Sequence, residues 1–179
     1  MEYEVLGWPE EGPTLRLDYR QFSYAGKFVL SNSGKAVARA DGKLVGAVAF
    51  NENSTAPETM WLRYVTVRKD RRGEGIGARL ARFTTARILA ADYERATVAV
   101  NNPFAYHALY KAGFGFIGEE TGLAELVLAT DADRSRAAYQ AGLDVYRTRD
   151  LSEAEESFLA AHRGVDPPAT LADPATGER

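Results

Sequence analysis

The sequence predicts a mixed α/β layer domain, and three stretches carry that prediction. Lys35 to Ala40 and Lys43 to Phe50 read as strands joined by Asp41-Gly42, a dipeptide that supplies the positive φ angles of a tight type I′ turn. Val65, Thr66 and Val67 end a strand that passes through a basic turn and the alternating glycines Gly73, Gly75 and Gly77 into a helix. In that helix Ile76, Leu80 and Phe83 form one apolar stripe. Finally, Arg95 to Val100 is a short strand followed by Asn102-Pro103, an Asn cap with Pro at the first helical position, and Gly113 ends the helix so begun.

Taken in order, Glu2 to Gly7 is a first strand, and Trp8 to Pro13 is rich in turn residues. From Thr14 to Ser33 the pattern is mixed: Leu15 and Leu17 alternate, while Tyr19, Phe22, Tyr24 and Phe28 allow a bent or broken helix. The hairpin follows, then a polar loop over Asn51 to Pro57, a strand over Thr59 to Val67, and the glycine turn with its helix to about Ala91. After the second helix, Phe114 to Glu120 and Glu125 to Ala129 read as strands around Thr121-Gly122. Beyond Thr130 the character changes. Asp133 to Ala141 predicts a helix ended by Gly142, and Ser152-Glu153-Ala154-Glu155 is a capping box that opens another, running to about His162. The expected organisation is a domain over 1–130, a helical extension over 131–164 and a disordered tail over 165–179, where three prolines and few apolar residues offer little to bury.

Composition bounds the function. The 179 residues suffice for a sizeable core, and a net charge of -3 argues against bulk nucleic-acid binding. Without cysteine there is no disulfide framework, thiolate catalyst or cysteine metal site. His107 and His162 are isolated from each other in the sequence and make no ligand cluster, so no metal is expected. Met-Glu-Tyr-Glu is not a signal-peptide start, and the run from Leu44 to Phe50 is too short to span a bilayer. The expectation is a soluble, cytoplasmic protein with neither membrane nor nucleic-acid partners.

The glycine turn carries the chemistry. Glycines at a helix N-terminus let backbone N–H groups approach an anion, helped by the positive end of the helix dipole, so Gly73 to Ala78 reads as a pyrophosphate cradle. The same residues meet the loose dinucleotide pattern Gly-x-Gly-x-x-Ala. That pattern needs glycines directly after the strand and an acidic residue at the end of the next strand, and this chain has neither.

These residues resemble the GCN5-related N-acetyltransferases. That family's Arg/Gln-x-x-Gly-x-Gly/Ala after a strand is matched by Arg72-Gly73-Glu74-Gly75-Ile76-Gly77. Its second signature, an Asn and Ala opening a helix that ends in Gly-Phe, is matched by Asn102, Ala105 and Gly113-Phe114. The resemblance implies a central, mostly antiparallel sheet, splayed at the cofactor site and flanked by helices, with acetyl-CoA as co-substrate. It implies that the backbone of Val65, Thr66 and Val67 pairs with the pantetheine arm, and that Arg72 with Gly73, Glu74, Gly75, Ile76, Gly77 and Ala78 holds the pyrophosphate. Asn102 would contact the cofactor arm. The implied reaction is direct attack of a primary amine, on a small molecule or a peptide, at the thioester carbonyl, with coenzyme A leaving as thiolate.

One departure bears on the chemistry. The tyrosine that serves as acid in many members falls on Leu109 here, four residues before Gly113, which leaves Tyr106, Tyr110, a water or no acid at all. Glu52, Glu58 and Glu120 are the candidate bases. A domain that binds acetyl-CoA without turning it over, as a regulatory or interaction module, is the alternative. The resemblance places acceptor choice in Thr14 to Ser33 and Gly115 to Ala129, and the extension after Thr130 could cover the acceptor cleft, make a homodimer contact or hang free.

Overall fold

A computed structural model describes residues 1–177. Contacts divide the chain into two compact units, Met1–Ala96 together with Leu171 and the residues after it, and Thr97–Thr170. This division follows contacts, whereas the sequence-based one at 130 and 164 follows changes in composition.

The first unit is built on four strands, β1 (Glu2–Gly7), β2 (Gly34–Ala40), β3 (Lys43–Asn53) and β4 (Ala56–Val67), each antiparallel to the next. Asp41 and Gly42 join β2 to β3 with φ of 51° and 78°, as the hairpin turn requires. The polar loop expected over Asn51 to Pro57 is shorter than its composition suggests. Asn51 pairs with Trp61 and Glu52 with Met60, so the ladder continues through Asn53 and resumes at Ala56. Farther along, Phe50 pairs with Leu62 and Ala49 with Tyr64, which leaves Arg63 as a bulged residue on β4.

Successive strand residues face opposite sides, and each side has its own cover. Helix α1 (Ile76–Ala90) packs against β2, β3 and β4, burying Ile76, Leu80, Ala81, Phe83 and Ile88. Gly46 permits this approach, because a Cβ there would lie 3.2 Å from Leu80 and 3.3 Å from Ile76. The residues of opposite parity, Val37, Ala47 and Ala49, join Leu17, Phe22, Ala25 and Phe28 in a separate cluster. The segment supplying those residues has no α-helix, contrary to the bent or broken one allowed over Thr14 to Ser33. Tyr24 takes a left-handed φ of 62° and only a 3-10 turn at Ala25–Lys27 follows it. Lys35 pins the segment instead: fully buried, its Nζ donates to the carbonyls of Pro13 and Leu30 at 2.7 Å and to the Ser33 carbonyl and Oγ at 3.0 and 2.9 Å.

The second unit contains most of β5 (Arg95–Val100), which is antiparallel to β7 (Leu126–Ala129), itself antiparallel to β6 (Gly115–Glu120). Its helices are α2 (Pro103–Lys111), α3 (Arg136–Arg147) and α4 (Glu153–Ala161). Asn102 caps α2 and the Ser152 capping box opens α4, both as expected. Helix α3 differs. It starts three residues later than expected and runs through Gly142, which is interior to the helix rather than its stop. A Cβ at Gly142 would lie 2.1 Å from the Tyr106 hydroxyl oxygen, so this glycine makes room for a ring and ends nothing.

Residues 165–177 of the expected tail carry defined contacts, and 178 and 179 lie outside the described residues. Within the second unit Gln140 donates to the Val165 carbonyl at 3.0 Å, and Arg134 to that of Pro168 at 2.8 Å. Within the first, Arg82 donates to the Leu171 carbonyl at 2.8 Å and Arg87 pairs with Asp173 at 2.8 Å, after which Pro174–Gly177 forms one helical turn, α5.

Candidate functional site

The last residues of β4 are held on one edge by β3, with Val65 opposite Val48, Thr66 opposite Ala47 and Val67 opposite Gly46. A 3-10 turn over Lys69–Arg71 follows, then Arg72 in extended conformation. Gly73 and Gly75 next adopt φ of 85° and 81°, the left-handed region in which any side chain is strained. Around Gly73 a Cβ would meet open space, whereas Gly75 is the N-cap of α1 and brings Arg79 Nη1 to 3.0 Å from the position of a Cβ. Gly77 is different: its Cβ would make an ordinary 3.4 Å contact with Val67, and its φ is not left-handed.

The consequence is a row of six backbone N–H groups, Gly73 to Ala78, with no acceptor among the described residues. The first turn of α1 contains no acidic residue, and its glycine cap offers no side-chain oxygen. Unsatisfied donors at the positive end of a 15-residue helix make an anion site. The basic turn supplies cations unequally. Arg68 is paired with Asp70 at 2.9 Å and Arg71 with Glu74 at 3.0 Å. The hydrogen bond from Arg71 holds the Glu74 carboxyl below the usual carboxylate range, so that loop acid stays ionised and paired. Arg72 has no carboxylate partner among the described residues; its Nη2 donates to Ser23 Oγ at 2.9 Å, which fixes it beside the glycines. Lys69 N–H donates to the Gln21 carbonyl at 2.8 Å, so the irregular segment braces the turn.

The remaining expected site residues lie in the second unit. Asn102 Oδ1 accepts from Ala105 N–H at 2.8 Å as the cap of α2. Tyr106 and Tyr110 are both fully buried, with ring centroids 4.9 Å apart. The Tyr106 hydroxyl donates to the Tyr139 carbonyl at 3.0 Å, and Tyr110 accepts from Phe116 N–H at 2.9 Å. Burial pushes the Tyr106 hydroxyl far above the ordinary phenol range, with Tyr110 adding to the shift. Tyr139 and Tyr146 complete the cluster, Tyr146 donating to the Val100 carbonyl at 3.0 Å. His107 packs against Phe158 and His162, and burial lowers its pKa to about 4. Among the described residues no group of His, Cys, Asp or Glu could hold a metal, and no helix is long and apolar enough to cross a membrane.

The candidate bases are mostly engaged. Glu52 Oε1 accepts from the Tyr93 hydroxyl at 2.6 Å, and Glu120 pairs with Arg149 at 2.7 Å. Glu58 accepts from Glu94 N–H through its carbonyl and has no side-chain partner among the described residues. A feature the sequence reading missed is a cleft in the first unit lined by Lys27, Asn32, Asn51, Arg63 and Tyr64. Its signal depends on the bulge at Arg63, which strand alternation does not reveal.

Comparison with known proteins places this geometry. The family described as Acetyltransferase (GNAT) matches residues 1–116. No match to the chain was found among curated proteins. Among solved structures, nourseothricin acetyltransferase is 25% identical over 54% of this chain and 62% of that one, with a TM-score of 0.45. The PaiA N-acetyltransferase of Thermoplasma acidophilum, in complex with coenzyme A, is 17% identical over 55% and 60%, with a TM-score of 0.46. The chain thus spans less than two thirds of either protein. An acetyltransferase from Bacillus subtilis in complex with CoA is 14% identical over 73% of this chain and 98% of that one; its TM-score of 0.56 shows a shared fold. With well over half its length inside the family match, the chain belongs to the Acetyltransferase (GNAT) family.

Proposed function

We propose that the chain transfers an acetyl group from acetyl-CoA to a primary amine of a small molecule or peptide. The observation that carries this reading is the row of N–H groups from Gly73 to Ala78, unpartnered among the described residues, with Arg72 held beside it. A pyrophosphate fits such a row: the donors are unspent, the loop takes up left-handed turns that glycine adopts most cheaply, and no acid opposes the charge in the first turn of the helix. The backbone of Val65, Thr66 and Val67 would run beside the pantetheine arm.

When bound, the cofactor supplies an acetyl group activated as a thioester. A bond from the amine nitrogen to the acetyl carbon forms as the carbon–sulfur bond breaks; one proton leaves the nitrogen and the sulfur departs as thiolate. The chain's own part is to hold the two reactants in register and to keep the amine neutral. Glu58, the candidate base without a side-chain partner, is the residue we assign to receive the amine proton through solvent. The buried, bonded hydroxyls of Tyr106 and Tyr110 support packing roles for both, so the thiolate takes its proton from water.

That same burial, together with Leu109 at the usual tyrosine position, favours a second reading in which the domain binds acetyl-CoA without turnover. Calorimetric titration with acetyl-CoA, coenzyme A and NAD, followed by a free-thiol assay across a panel of amines, separates the two. The expected result is binding of both coenzyme A species, none of NAD, and thiol release with some amines. Binding without release across the panel supports the non-catalytic module, and no binding of either coenzyme A species overturns both readings.

A further inference from the structure

The cleft at the β4 bulge has a one-sided chemistry. A bulge turns consecutive side chains toward the same region, and Arg63 and Tyr64 both line the cleft, which has a volume of about 280 Å³. Two cations, Lys27 and Arg63, are in its wall, and no carboxylate is. Arg63 is held from behind: its Nε donates to Asn51 Oδ1 at 2.6 Å, and its guanidinium lies over the Trp61 ring, 5.1 Å from the centroid. Its two Nη groups have no acceptor among the described residues. Lys27 forms no ion pair among the described residues, and its ammonium lies 5.9 Å from the Tyr64 ring centroid.

A guanidinium fixed through Nε and stacked on an aromatic ring presents its remaining fork in one orientation. That fork matches the two oxygens of a carboxylate, and a nearby ammonium adds charge without demanding geometry. The cleft is distinct from the phosphate cradle. Arg68, the residue after β4, lies five positions beyond Arg63, roughly 16 Å of extended chain, and the glycines come after that. Between the two anion sites lies the Val65 to Val67 stretch along which the cofactor arm is proposed to run. A molecule anchored at the cleft therefore borders the reacting end of that arm.

We propose that the acceptor is a small amine that carries a carboxylate, and that Arg63 and Lys27 bind this carboxylate in the cleft. The inference rests on the acetyl-transfer reading and names its substrate class.

The test uses the full chain loaded with coenzyme A. N-acetylated amino acids, which have the form of products, and their matched primary amides are titrated in while the indole N–H resonance of Trp61, beside Arg63, is followed. Saturable shifts with the acids, none with the amides, and loss of the response in Arg63→Gln are expected. In turnover, free amino acids should exceed their amides in kcat/KM by about tenfold, a preference that collapses toward unity in Arg63→Gln. Three results would overturn the proposal: no saturable shift with any acid into the millimolar range, equal shifts with acids and amides, or a weakened acetyl-CoA affinity in Arg63→Gln, which would assign the cation to the cofactor. A chain that binds neither acetyl-CoA nor coenzyme A, yet gives the acid-specific shift when titrated without them, would refute the acetyl-transfer reading and leave the carboxylate site standing.

Discussion

The two units differ in where their ordered polar groups find partners. In the first, six consecutive backbone N–H groups, the Arg72 side chain and the Arg63 fork are held in place and have no anionic partners among the described residues. In the second, the Tyr106 and Tyr146 hydroxyls donate to backbone carbonyls, the Tyr110 hydroxyl accepts from Phe116 N–H, Tyr139 and the half-buried His107 share one hydrogen bond, and Arg134 and Arg149 find acceptors inside the protein. Burial makes an unmet polar group expensive, so groups sealed in a core must be satisfied by their neighbours. Donors kept ordered but unmet at a surface have another use: they await a ligand. By this criterion the glycine turn and the bulge are the candidates for binding, and Tyr106 and Tyr110, which flank Leu109 at the family's acid position, are candidates for a packing role.

The largest test of that contrast is Gly75→Glu, which places bulk and negative charge at the helix N-terminus. Acetyl-CoA affinity should fall by more than about 100-fold, the equivalent of nearly 3 kcal/mol. The left-handed φ of 81° also strains any ordinary side chain, so Gly75→Asn serves as the companion, since asparagine enters that region cheaply. It should lower the melting temperature less than Gly75→Glu does and lose much less affinity. Wild-type binding by a folded Gly75→Glu variant would mean that the N–H row is not the phosphate site.

The second unit yields smaller effects, on stability rather than binding. Alanine in place of glycine inside a helix ordinarily stabilises by about 1 kcal/mol. In α3 the sign should reverse, because the new methyl would overlap the Tyr106 hydroxyl; a loss of ~1–3 kcal/mol is expected for Gly142→Ala, measured by urea denaturation. Tyr106→Phe removes one buried hydroxyl and its bond to Tyr139, costing about 1 kcal/mol, with kcat unchanged within about twofold. A general acid contributes on the order of 100-fold or more, so a drop of that size would return Tyr106 to the catalytic machinery.

The same division separates what the sequence made legible from what it did not. The hairpin at Asp41-Gly42, the cap at Asn102, the capping box at Ser152 and the glycine turn that opens α1 are set by residues within a few positions of one another, and all were readable. Gly142 was misread as a helix stop because its reason is the Tyr106 ring, supplied by a different helix. The segment from Thr14 to Ser33 looked partly helical because its aromatic spacing permits a helix, yet the burial of Phe22 and Phe28 and the four bonds from Lys35 decide its path. Arg63 escaped notice for the same kind of reason. Its direction depends on register with β3, and one extra residue in β4 cannot be seen without the partner strand.

The smallest expected effect probes how completely the second unit is sealed. His107 faces Phe158, His162, Lys111 and the Tyr139 hydroxyl, and burial, followed by the charges of Lys111 and His162, lowers its pKa from 6.5 to about 4. In the unfolded chain the ring takes a proton near its ordinary value, so between pH 4 and 6.5 the unfolded state binds the extra proton. Stability from this group is therefore fully present above pH 6.5 and is lost as pH falls through 6.5 toward 4. The slope is at most about 1.4 kcal/mol per pH unit, and smaller for a ring that keeps some contact with solvent. Urea midpoints at pH 7 and pH 5 should fall farther for the wild type than for His107→Phe, whose aromatic ring keeps the contact with Phe158 and has nothing to titrate. Equal slopes in the two proteins would mean that His107 meets water as freely as an exposed residue, and the picture of a sealed second unit would fail at that edge.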